Sequence, residues 1–202
     1  MSAIQTYAET TGSKLKFDSL VLGSEVEFFA FITSFSQTFA STWNSEQVYG
    51  RNDPIGNFQG TQRNLNLSWD VPSANGSEAK ANLEKMDKLT KMLYPAYSKA
   101  NFTADDGTIV GSNALSLSKA PLIRLHYANL IKNQGNVSSD AGLLGWIGNL
   151  SWTPVIEMGI FTDGGELFPK VVSLSIDFTV QHEHNLGKTP DDGLPAKFPF
   201  GG

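Results

Sequence analysis

The chain contains no cysteine, which excludes disulfide scaffolds, thiol catalysis and cysteine-ligated zinc. It has no run of basic residues, and its net charge of −5 leaves no conventional patch for gripping phosphate. No apolar stretch approaches the ~20 residues that a membrane span needs, so no membrane association is expected. The opening segment, MSAIQTYAETTGSKLKFDS, lacks the apolar core of a signal peptide. Charged residues are scarce at 17%, below the usual level of about a quarter. Neither a G-x-S-x-G nucleophile elbow nor a G-x-x-x-x-G-K-[ST] phosphate loop occurs.

What is present is β-forming and aromatic: 13 Phe, 4 Trp and 19 Gly in 202 residues. All-β folds of about 200–250 residues often form one domain, and a chain of this length buries a core without cross-links. Little charge with many aromatics suits a surface that meets protein rather than water. Residues 1–24 read as a polar arm, 25–187 as a β domain and 188–202 as an extended tail.

Within the domain, 26–35 reads as the first buried strand. Arg63–Val71 alternates Leu65, Leu67, Trp69 and Val71 with Asn64, Asn66, Ser68 and Asp70, a strand with one wet face. Residues 35–50 and 57–71 pair as one hairpin around the turn signal Arg51-Asn52-Asp53-Pro54. The alternative is a shorter strand pair with a surface loop over 44–62. Sixteen residues of strand would span about 50 Å and overhang their own core, a geometry suited to reaching a neighbour.

Ser77 is placed as the cap of a helix running to about Leu93, with Leu83, Met86, Leu89 and Leu93 along one face. Met86 and Met92 read as core packing. Residues 100–118 read as a loop, with Asp105-Asp106-Gly107 at a turn that lacks calcium-loop spacing. Further strands are expected over 121–131, 142–152, 155–160 and 169–183. Asp163-Gly164-Gly165 is a hairpin signal ahead of the last of these. There Val172, Leu174, Ile176, Phe178 and Val180 alternate with Ser173, Ser175, Asp177 and Thr179.

His182 and His184 share a strand face at metal-ligand spacing, but His126 is the only other histidine and nothing in the pattern brings it near. Packing at a strand end is the plainer reading, and neither metal nor cofactor is expected. Glu25 with Glu27, and Asp177 with Glu183, could serve a glycosidase only by residue type. Carboxylates are common on wet strand faces, so no enzymatic activity is expected.

Several segments taken in order carry a resemblance. They are Tyr49-Gly50-Arg51-Asn52-Asp53-Pro54-Ile55, the strand over 63–72, the helix ending at Leu93-Tyr94-Pro95, Pro121-Leu122-Ile123-Arg124, Gly142-Leu143-Leu144-Gly145-Trp146, and Asp177 through His184. Together they resemble the tube-type baseplate proteins, including tail tube initiators, of contractile-tailed bacteriophages. The resemblance spans about residues 25–187 and implies two packed antiparallel sheets, one flanking helix and a long hairpin that reaches a neighbour.

It further implies a virion protein that forms a hexameric ring between the central hub and the tail tube. Such a ring nucleates the tube and lines the channel for genome ejection, through which DNA passes without specific binding. Hub and tube proteins would be its partners. On this reading Phe39, Trp43, Tyr49, Arg51, Phe58, Phe198 and Phe200 are subunit-interface residues. Asn64, Asn66 and Ser68, or Ser173, Ser175 and Asp177, face the lumen. Replacing Phe39 and Trp43 with serine is expected to block assembly and leave the monomer folded. The alternative is a carbohydrate-binding β-sandwich using exposed aromatics.

Overall fold

The computed structural model describes residues 14–29, 31–103, 109–128, 130–132, 142–163, 165–183 and 186–188. The strands are β1 (Lys14–Ser19), β2 (Ser24–Phe29), β3 (Phe31–Glu46), β4 (Ile55–Pro72), β5 (Ala96–Thr103), β6 (Ile109–Lys119), β7 (Ile123–Tyr127), β8 (Leu143–Pro154), β9 (Ile160–Asp163), β10 (Glu166–Pro169) and β11 (Val171–Val180). One helix, α1 (Gly76–Lys91), follows β4, and a 3-10 turn (Ile156–Met158) precedes β9. Among the described residues the fold is mainly β, antiparallel, with one flanking helix.

Seven strands form a single sheet in the order β2-β1-β7-β8-β11-β4-β3. The two layers expected from the sequence are made by curling this one sheet, so that its ends pack face to face. Phe17 of β1 lies 5.8 Å, centroid to centroid, from Trp69 of β4. Phe28 of β2 lies 6.0 Å from the same indole. Around them close Leu15, Leu65, Leu67, Leu125, Leu174, Ile176 and Phe178, all buried. Alternation accounts for this directly: each strand turns its apolar set inward and its polar set outward.

Four readings need correction. The expected polar arm over 1–24 contains β1, whose Leu15 and Phe17 are fully buried. Period-two order in Lys14-Leu15-Lys16-Phe17 outweighs the segment's polar composition, and the β domain extends back to Lys14. The single strand over 26–35 is two: β2 ends at Phe29, and β3 begins at Phe31 and runs to Glu46. The loop over 100–118 is largely the β5–β6 hairpin, paired from Ala96↔Lys119 to Thr103↔Ile109; Asp105-Asp106-Gly107 lie outside the described residues. Residues 155–160 hold the 3-10 turn rather than a strand.

The long hairpin forms as read, with β3 and β4 of 16 and 18 residues paired from Phe31↔Asp70 out to Glu46↔Ile55. This rules out the shorter strand pair. The cap of α1 is Asn75 rather than Ser77: its Oδ1 accepts from the Glu78 amide at 2.8 Å. Glu78 Oε2 in turn accepts from the Ala74 amide at 2.9 Å, a reciprocal arrangement that satisfies donors at the helix start. Met86 and Leu89 of the expected face enter the core and Met92 joins them, whereas Leu93 is only half-buried. Asn82 donates to Ser73 Oγ at 3.0 Å, tying the helix to the chain just beyond β4.

Candidate assembly surfaces

Two alternative strand sets were expected to carry a polar lining, and the fold places both on one face of one sheet. Across β3, β4, β11 and β8, register aligns Ser34, Ser68, Ser175 and Ser151 in one row. The next row is Ser36, Asn66, Asp177 and Asn149. Asp70, Ser173 and Thr153, with Phe31, continue it on one side, and Thr38, Asn64 and Thr179, with Trp146, on the other. Asn66 and Asp177 are exposed; Asn64, Ser68, Ser173 and Ser175 are half-buried among their neighbours. In these rows the only ionisable side chains are Asp70 and Asp177, and Ser173 Oγ donates to Asp70 Oδ1 at 2.6 Å.

The other half of the curled sheet differs in kind. Its outer face carries Lys14, Lys16 and Asp18 on β1, Glu25 and Glu27 on β2, and Arg124 on β7. Lys16 bridges Glu27 at 3.1 Å and Glu25 at 3.5 Å, and Lys14 reaches Glu27 at 3.4 Å. Burial raises the Glu27 carboxyl, but hydrogen bonds and charge from Lys16 and then Lys14 bring it below its ordinary value. Arg124 donates to both carboxylate oxygens of Glu183 at 2.8 and 2.6 Å. That pair raises the Arg124 guanidinium above its usual range, against the effect of burial. The curl therefore gives the domain one charged side and one polar side of low charge.

The polar side is bounded by open edges. β3 ends the sheet, so among the described residues its outer edge has no strand partner over 16 residues. β8 pairs with β7 only along Leu143–Gly145; among the described residues, no strand covers that edge from Trp146 to Pro154. The alternating antiparallel pairings mean that β3 and β8 run in opposite directions. The far edge, β2, is short and carries Glu25 and Glu27, the usual protection against edge-to-edge pairing. β3 has no Pro, Lys or Arg along its length.

The expected interface aromatics sit on the β3–β4 hairpin, on the face that continues the core. Phe39 is 45% exposed, Trp43 61% and Phe58 51%, with Trp43 and Phe58 paired at 5.2 Å and 60°. Tyr49 and Arg51 lie at the tip, both exposed. There Gly50 supplies a positive φ of 87°, and the Arg51 amide donates to Val48 O at 3.1 Å. Phe198 and Phe200 lie outside the described residues.

Sequence reading missed Arg63, which occupies the core-facing parity of β4 beside Leu65 and is only 2% exposed. Its guanidinium, pushed below its usual value by burial, donates to Gln37 and lies 5.6 Å from the Phe39 ring centroid. A lone arginine on an otherwise apolar parity was the available signal. The contributions of β3 and β8 to the polar face were also missed, although Ser34-x-Ser36-x-Thr38 and Asn149-x-Ser151-x-Thr153 carry the same alternation.

His182 lies just past β11, and His184 is outside the described residues. Among the described residues no three His, Asp or Glu side chains are grouped to hold a metal ion, and no helix is long and apolar enough to cross a membrane. No protein-family model matches the chain, and no curated protein matches it.

Proposed function

We propose that the chain is a structural ring protein of a phage tail baseplate, joining hub to tail tube and lining the channel through which DNA leaves. One observation carries the proposal. A four-stranded polar face of low charge is bounded by two edges without a strand partner among the described residues, β3 throughout and β8 from Trp146 to Pro154, which run in opposite directions. Laying β3 of one copy beside β8 of the next extends an antiparallel sheet, and repetition around an axis closes it and covers both of these edges. The polar rows then line the enclosed channel. Hydroxyls and amides hold water there, and the sparse charge is acidic, so a polyanion passes without being bound. The resemblance of the sequence to tube-type baseplate proteins supplies the hexameric count and the hub and tube partners.

The aromatic pair on the hairpin does not favour the sugar-binding alternative. Trp43 and Phe58 meet at 60° and form no flat platform for stacking on a pyranose.

Negative-stain electron microscopy of the concentrated, untagged chain, alone and co-expressed with hub proteins, tests the proposal. Rings with a central hole are the expected result. Compact monomers under both conditions would overturn it.

A further inference from the structure

Asn75-Gly76 is the only Asn-Gly pair in the chain, and it forms the junction between β4 and α1. Asn75 is exposed to water. A glycine in the next position leaves its backbone nitrogen unshielded, because no Cβ stands beside it. The first intrahelical bond runs from the Ala79 amide to Asn75 O at 3.0 Å, so the Gly76 amide lies ahead of the helical ladder. The parts of an intramolecular reaction are therefore adjacent: a side-chain amide carbon, a backbone nitrogen one residue on, and water.

The native junction holds those parts apart. Ring closure needs Asn75 Cβ and the Gly76 nitrogen nearly eclipsed about the Cα–C bond. Asn75 instead stands extended, at φ −150° and ψ 170°, which keeps the two staggered. Its side chain is turned to the helix, with Oδ1 accepting from the Glu78 amide at 2.8 Å. Further hydrogen bonds fix the corner. The Ala74 amide donates to Glu78 Oε2 at 2.9 Å, the Ser73 amide to Lys170 O at 2.7 Å, and Asn82 Nδ2 to Ser73 Oγ at 3.0 Å. Closure requires the first turn of α1 to open, a local event that needs less free energy than global unfolding.

We propose that Asn75 is a site of spontaneous deamidation gated by the cap of α1, so that the modification records openings of the β4–α1 junction. This does not depend on the ring reading. In the first step the Gly76 nitrogen attacks Asn75 Cγ and gives up its proton. The bond from Cγ to the side-chain nitrogen breaks, ammonia leaves, and a five-membered imide remains. Water then adds to one of the two imide carbonyls. Cleavage of the new bond to Cγ gives aspartate in the original backbone. Cleavage of the original peptide bond gives isoaspartate, in which the main chain runs through the side-chain carbon. Water is the only co-reactant, and nothing is oxidised or reduced.

The two products act in opposite directions. Aspartate keeps a cap acceptor and adds negative charge at the positive end of the helix, which favours the cap. Isoaspartate inserts a methylene into the main chain between β4 and α1. The bonds of Ser73, Ala74 and Glu78 cannot all survive that extra length. The corner they hold adjoins the Val171↔Pro72 rung, so isoaspartate loosens one end of the polar face.

The test is peptide mapping by mass spectrometry on the full chain, stored at mildly alkaline pH with and without urea below the unfolding midpoint. In urea the peptide holding position 75 is expected to gain the mass of deamidation ahead of every other asparagine, several-fold faster than without urea. A rate unchanged by urea, or another asparagine leading, would overturn the proposal. Gly76→Ala is expected to slow the reaction several-fold and to fold normally, since the nearest atom to an added Cβ is Phe161 Cβ at 3.8 Å. A folded Gly76→Ala variant that reacts at the parent rate would also overturn it. Asn75→Asp is expected to melt at or above the parent temperature, and the separated isoaspartyl fraction below it. Identical melts for the two would sink the opposed effects.

Discussion

Arg63 donates from Nε and from Nη2 to the single Oε1 of Gln37, at 3.2 and 2.9 Å, across the β3–β4 pair. The contact lies where the core gives way to the overhanging hairpin, and it lets a cation occupy a parity otherwise filled by leucine. Truncating Gln37→Ala removes the acceptor from a buried charge, a change that costs about 1–3 kcal/mol. Gln37→Glu keeps an acceptor and is expected to lose far less. Urea denaturation of the two variants checks the difference.

Glu27 provides a pH dependence. Its carboxyl is held below the ordinary value of 4.5, so its contribution to folding is complete above the unfolded pKa and is lost as pH falls through the lower, folded one. Glu27→Gln is expected to lose this contribution near neutrality, where it is fully present, and to converge on the parent in acid, flattening the limb below about pH 4.5. Thermal melts across that window read the effect, which is modest because the pair is part-exposed.

Gly145 and Gly60 should respond oppositely to alanine. A Cβ at Gly145 would fall 2.1 Å from Thr179 O and 2.8 Å from the Phe178 ring, whereas nothing lies within 4 Å at Gly60. Gly145→Ala therefore forces β8 away from β11 and is expected to cost about 3 kcal/mol or to prevent folding. Gly60→Ala is expected to stay within about 0.5 kcal/mol of the parent. Melting temperatures of both variants decide.

The polar face can be given the opposite electrostatic character. Ser68→Lys with Ser175→Lys places cations side by side in the Ser34–Ser151 row. The fold should tolerate them on this outward face. Assembled rings of the variant are expected to retain DNA in a salt-sensitive way, and parent rings to release it. Filter binding at two salt concentrations distinguishes them.

The alternation in β4 and β11 could be read directly because one face of each strand is buried and the period is two. The helix was readable for the same reason at a period of 3.6. What could not be read was adjacency. Ser173 and Asp70 are 103 residues apart in sequence, and nothing local says that their strands are neighbours, so two candidate sets stood where the fold has one polar face. β1 escaped notice because Leu15 and Phe17 are diluted by lysines, which solvate the outer face of a strand as readily as they fill an arm.

The unguarded rim of β3 has a consequence for the cell that makes the protein. A backbone edge of 16 residues without proline or a basic side chain accepts any extended peptide, a sibling or a stranger alike. In the proposed assembly, each newly made molecule is thus an open template until its ring closes, and correct partnering races indiscriminate β-addition. A supply kept low and drawn down promptly favours the first outcome.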